Sequence, residues 1–253
     1  MIINRMQAIV NRLIHLASSQ YCLSCGLASF TKYDLCKFCI GRLPLADLIY
    51  LQSTSRESES PHTQIITIPL KTWSLLTYSE PWPLLMKYAK IRTGLHLCHR
   101  ISMLSKLLFA SERLSNESKV HFQERKQLQD MLLRGSHPTL LVPIPAHKMH
   151  FYQRGFSPQR LIAECLAKYT KLKIATGKQG LFWRRDTPPQ KGQNAQIRSS
   201  QMGDTLLANL VTGYSVILVD DVCTTGATLL EAQRACFHSG AIEVHAVTLF
   251  RVL

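Results

Sequence analysis

The chain has 253 residues, 46% hydrophobic and 18% charged, a balance that excludes a disordered protein and allows one domain plus a small accessory module. Lys and Arg outnumber Asp and Glu by 30 to 16, a formal charge of +14, which favours a polyanionic partner such as nucleic acid or anionic lipid. No apolar stretch is long enough to span a bilayer, and the amphipathic start MIINRMQAIVNRLIHLASS lacks the continuous apolar core of a secretory signal, so a cytoplasmic protein is expected.

Cys22, Cys25, Cys36 and Cys39 follow as two C-x2-C pairs separated by ten residues. Each pair has the spacing that turns two thiolates onto one ion, and the four complete a closed tetrahedral site for which Zn²⁺ is the usual occupant. Nothing in the sequence directs the chain to an oxidising compartment, which disfavours paired disulfides. A redox centre needs only one such pair. The expectation is structural zinc, with the remaining cysteines as packing residues and Cys223 as the one to watch.

After Pro44 a polar Ser/Glu stretch reads as a linker, and IITIPLKTWSLLTYSE as one or two strands. From Pro83 the pattern predicts one long helix, or two broken near Gly94. Its polar side carries Lys87, Lys90, Arg92 and Arg100, a basic face for nucleic-acid backbone. The charged segment SERLSNESKVHFQERKQLQDML reads as a helical insertion over the surface.

Leu140 to Ile144 is a buried strand, stopped by Pro143 and Pro145. A loop with His147, Lys148, His150, Arg154 and Gly155 follows, then a helix capped by Ser157 with Pro158 in its first turn. Leu181 to Met202 is polar and rich in Pro and Gly, a loop in which Arg184, Arg185, Lys191 and Arg198 are placed to close on polyphosphate and Trp183 to stack on a base; a solvated loop with incidental charge explains it equally well.

The run VILVDDVCTTGATL carries the most information. Val216 to Val219 reads as a buried parallel strand, Asp220 and Asp221 stand where it ends, and Thr224, Thr225, Gly226, Ala227 and Thr228 open a helix. The first amides of a helix lack internal partners and attract anions, and a glycine lets backbone approach a phosphate. Carboxylates beside such a cradle make sense for a ligand that also bears sugar hydroxyls or a divalent cation. The combination resembles the PRPP-binding signature of type I phosphoribosyltransferases. The resemblance implies that Asp220 and Asp221 hold the ribose hydroxyls, that residues Thr224 to Thr228 wrap the 5′-phosphate, and that Mg²⁺ accompanies PRPP.

The order of the double C-x2-C, the VPIP…RGF-x-P-Q block, the R-x-T-x-x-Q stretch and the terminal signature resembles the ComF family of competence-associated proteins. Arg154, Gly155, Phe156 and Gln159 match its RGFNQ block, with Ser157-Pro158 replacing the usual Asn-Gln start. Arg185, Thr187, Gln190 and Arg198 match the next block without its usual Leu and Asn, and Lys87 matches a family lysine. The resemblance implies an α/β fold: a mainly parallel, type I phosphoribosyltransferase-like sheet flanked by helices over 64–253, with an N-terminal helix and four-cysteine zinc module over 1–50. It also implies a role in natural transformation with single-stranded DNA as partner. Three readings stay open: a DNA-uptake factor with a PRPP-type site, an active phosphoribosyltransferase on an unidentified base, and a non-enzymatic adaptor that contacts other transformation proteins.

Overall fold

The computed structural model describes residues 20–29, 34–52, 68–110, 114, 117–176, 178–183 and 206–253. A one-turn helix α1 (Lys37–Ile40) is followed by strands β1 (Ile49–Leu51) and β2 (Leu70–Thr77). Helices α2 (Trp82–Ala89) and α3 (Leu95–Ser102) run into a 3₁₀ segment (Met103–Phe109), and α4 (Lys119–Arg134) leads to β3 (Thr139–Pro143). Then come α5 (Lys148–Arg154), α6 (Pro158–Thr170), β4 (Lys173–Ile174), β5 (Gly180–Trp183) and β6 (Leu206–Asn209). The order closes with β7 (Ser215–Cys223), α7 (Ala227–His238) and β8 (Glu243–Arg251).

Six strands form one sheet in the order β1-β2-β8-β7-β3-β4, parallel throughout except for β1. β5 and β6 pair separately as an antiparallel ribbon. The central strands are apolar on both faces, as a parallel sheet covered by helices requires. On one face, Ile217 and Val219 pack in a core with residues of α2, α3, the 3₁₀ segment, α4 and α6; on the other, Val216 and Leu218 pack with α7 and with Leu206 of β6. This is the type I phosphoribosyltransferase-like α/β architecture that the signature implied.

The helical region after Pro83 is two helices. Gly94 caps α3, and a Cβ there would lie 2.3 Å from the Tyr88 carbonyl oxygen, so the backbone turns where only glycine fits. The charged segment expected as a surface insertion is partly core. Ser118 caps α4, Leu128 and Leu132 are buried, and the Arg125 guanidinium donates to both oxygens of buried Glu117 at 2.8 and 2.7 Å. A bidentate ion pair of this kind lets a strongly charged helix pack inward.

Candidate functional site

Ligands of open α/β sheets sit outside the carboxyl ends of the strands, where neighbouring connections diverge. β7 does not stop at Val219. It continues to Cys223 against β8, while its pairing with β3 ends at Val219 opposite Pro143. Asp220 and Asp221 therefore project from a strand that has outrun one neighbour. The Asp220 Oδ1 accepts the Asp221 amide at 2.8 Å, and Asp221 Oδ1 accepts the Val222 amide at 3.0 Å. Gln159 Nε2, at the start of α6, lies 3.1 Å from Asp220 Oδ1 and 3.4 Å from Asp221 Oδ1. Burial, and then the charge of Asp221, push the Asp220 carboxyl up to about 8 despite these donors.

Beyond the acids, Thr224 and Thr225 are exposed and Gly226 starts α7 with φ +76°, a left-handed conformation natural to glycine. Gly226 supplies no side-chain cap to this helix; the Ala227 amide donates to Thr225 Oγ1 at 3.4 Å, and helix geometry leaves the amides of the rest of the first turn without helical partners. A Cβ on Gly226 would meet Leu51 of β1 at 2.5 Å, so the antiparallel edge strand backs the loop. Ala227 and Thr228, in the first turn of α7, are half-buried. The second expected loop forms α5, with Lys148 exposed, Arg154 half-buried and Gly155 in the left-handed C-cap. A cavity of about 200 Å³ opens beside it, lined by Pro145, Phe151, Ser157, Arg160, Thr176 and Gln179.

Two basic residues expected on a nucleic-acid face do not stand there. The Lys90 ammonium is paired with the buried Asp221 carboxylate, which places it beside the acid pair. Arg100 is 6% exposed, and its guanidinium donates to the Tyr21 carbonyl and lies 3.6 Å from Asp34 Oδ1, pinning the cysteine knuckle to α3. A guanidinium sealed under that knuckle cannot reach a DNA backbone. Lys87 and Arg92 are exposed. Arg185 and Arg198, with Thr187 and Gln190, lie outside the described residues. The Trp183 indole donates to the Pro145 carbonyl at 3.0 Å.

Two further groups feel the charge of Asp221 without any short motif announcing them. The Tyr78 hydroxyl and the Cys98 thiol are both raised by burial and feel the charges of Asp221 and Lys90; Cys98 reaches about 12 and also senses Arg154. Cys223, watched as a phosphate-loop thiol, is the last residue of β7, buried in the core and raised by burial to about 11. It is a packing residue.

At the other pole, the sulfurs of Cys22, Cys25, Cys36 and Cys39 all lie within 4.8 Å of one another, with Cys25 and Cys36 Sγ at 3.8 Å. Zinc–sulfur bonds of about 2.3 Å in a tetrahedron require sulfur–sulfur edges of about 3.8 Å, so the cluster fits such an ion. Gly26, at φ +75°, returns its amide to the Cys22 carbonyl at 2.9 Å and closes the first turn, while Cys36 caps α1. Burial opposes the Cys22 thiolate, but the amides of Cys25, Cys36 and Ser24 outweigh it and bring the thiol to about 7. Cys39, desolvated and crowded by neighbouring thiols, is pushed up to about 12, a conflict that a shared cation relieves. The knuckle's Cys22, Leu23, Leu35 and Leu43 join the same core as Trp73 and Trp82.

A phosphoribosyl transferase domain model matches residues 180–253, the stretch that holds the acid pair and α7. Competence protein ComFC of Bacillus subtilis is 34% identical over 116 residues, covering 44% of this chain and 44% of that protein. DNA utilization protein YhgH of Salmonella typhi is 30% identical over 117 residues, covering 46% and 51%, and YhgH of Escherichia coli O157:H7 is 24% identical over 233 residues, covering 92% and 90%. These relatives, the matched domain and the four-cysteine cluster agree with the resemblance to the ComF family. The chain aligns with about half the length of the first two relatives. The resemblance takes in both poles of the structure, the thiol cluster and the strand–acid–helix unit. Among the described residues no helix is long and apolar enough to cross a membrane.

Proposed function

We propose that this chain is a cytoplasmic DNA-uptake factor that binds a ribose phosphate between the acid pair and α7 and holds single-stranded DNA beside it. One observation carries the reading: carboxylates at the end of β7 adjoin the N-terminus of α7, which opens at Gly226 without a capping side chain from that position. Carboxylates accept from hydroxyls and backbone amides donate to phosphate oxygens, which together describe a ribose phosphate. Mg²⁺ would accompany PRPP by neutralising its pyrophosphate, and zinc in the four-cysteine cluster would be structural. The competence and DNA-utilization names of the relatives support the uptake role. For the single strand, α5 offers exposed Phe151 and Tyr152 between Lys148 and Arg154, the pairing of stacking surface and cation that unpaired bases use.

A second reading, phosphoribosyl transfer to a base, is favoured by the cavity beside α5, which has room for one small ring. The test is calorimetric titration of PRPP with Mg²⁺ into zinc-loaded protein, with and without a bound oligonucleotide. Saturable binding that is lost in the D220N/D221N variant supports the ribose-phosphate site, and competition by DNA indicates a shared cradle. A base that then releases pyrophosphate would make the protein an enzyme. No PRPP binding refutes the site.

A further inference from the structure

The acid pair is not a pair of equals. Asp221 is 4% exposed: its Oδ1 accepts from the Val222 amide at 3.0 Å and from Gln159, and its buried Oδ2, which accepts no hydrogen bond, has the Lys90 ammonium as its ion-pair partner. Asp220 is half-buried, its Oδ1 is held by the Asp221 amide and Gln159, and no described residue bonds its Oδ2. A carboxylate sealed from solvent against a counter-ion belongs to the framework; a half-buried one at the crevice with no counter-ion is the one open to a ligand.

We propose that Lys90 is a positioning residue that commits Asp221 to the fold and leaves Asp220 as the carboxylate that accepts the ligand's ribose hydroxyls. The inference rests on the ribose-phosphate reading of this site. Lys90 sits at the C-cap of α2, and its ammonium supplies the positive charge that a buried Asp221 needs. It thereby ties α2 to the end of β7 and holds the Gln159 amide between the two acids. With Lys90 removed, Asp221 keeps a buried charge without a counter-ion, so it takes up a proton or moves, and Gln159 and Asp220 lose their set orientation.

The test uses ribose 5-phosphate as the probe, titrated calorimetrically into the zinc-loaded full chain, with thermal melting of each variant alongside. D220N is expected to abolish binding without lowering the melting temperature. K90Q is expected to weaken binding about tenfold and to lower the melting temperature, K90R to restore both, and the neutral pair K90Q/D221N to recover much of what either single change loses. Equal loss of binding in D220N and D221N, with unchanged melting in D221N, overturns the division of roles. If the wild type binds no ribose 5-phosphate, the site reading itself fails. The melting cycle then still decides whether Lys90 holds Asp221, because strictly additive losses mean that it does not.

Discussion

Gly226 is where β1, the Thr-Thr-Gly turn and the start of α7 meet, and G226A measures that junction. Two penalties apply. An alanine at φ +76° costs about 1–2 kcal/mol because its Cβ crowds the following carbonyl. The same Cβ would lie 2.5 Å from Leu51 Cδ1 and 2.8 Å from Cδ2, contacts that a leucine can relieve by leaving its rotamer at about 0.5–1.5 kcal/mol. Urea unfolding should therefore show a loss of about 2–3 kcal/mol at an unchanged slope. L51A separates the two penalties. In G226A/L51A the steric part vanishes and the conformational part stays, so the double variant should be about 1 kcal/mol more stable than the sum of the single losses predicts. Additivity within about 0.3 kcal/mol would refute the contact between β1 and the Thr-Thr-Gly turn.

R100A should cost about 3 kcal/mol, because it strands the Tyr21 carbonyl and Asp34 beneath the knuckle, yet leave oligonucleotide affinity unchanged below the melting transition; a salt-sensitive loss of affinity in a fully folded R100A would restore this residue to a DNA face. The Asp220 carboxyl is held above its unfolded value of about 3.9, up to about 8, so the fold prefers its protonated form. That contribution is complete below pH of about 4 and is lost as pH rises to about 8; D220N, which stays neutral, should gain in melting temperature relative to wild type across this window, and parallel profiles would contradict the shift. Chelation of the cysteine-bound metal should lower one cooperative transition rather than release an early separate one, because Leu23, Leu35 and Leu43 share a core with Trp73 and Trp82. Scanning calorimetry distinguishes the two outcomes.

The parts of this protein legible in its sequence are those whose chemistry is contiguous. Four apolar residues before two acids and a Thr-Thr-Gly turn define strand, carboxylates and cradle within one short stretch, and two C-x2-C pairs define a metal knuckle. The errors concern basic residues judged by charge alone. Arg100 follows buried Leu97 by three positions and precedes buried Leu104 by four, and Lys90 follows buried Met86 by four, so both lie on the apolar stripes of their helices. Arg125 precedes buried Leu128 by three and obeys the same rule. A cation at a stripe position is taken inward and needs an acid there, and each has one: Asp34 for Arg100, Asp221 for Lys90, Glu117 for Arg125. Helical position, which a sequence does show, marks these residues as internal; the partners, brought in from other elements, become visible only in the fold. Lys87 falls off the stripe of α2 and is exposed, and Arg92 is exposed in the turn between α2 and α3. Each of these three inward cations is matched by an acid, so the pairs cancel and the formal charge of +14 is carried by the remaining residues.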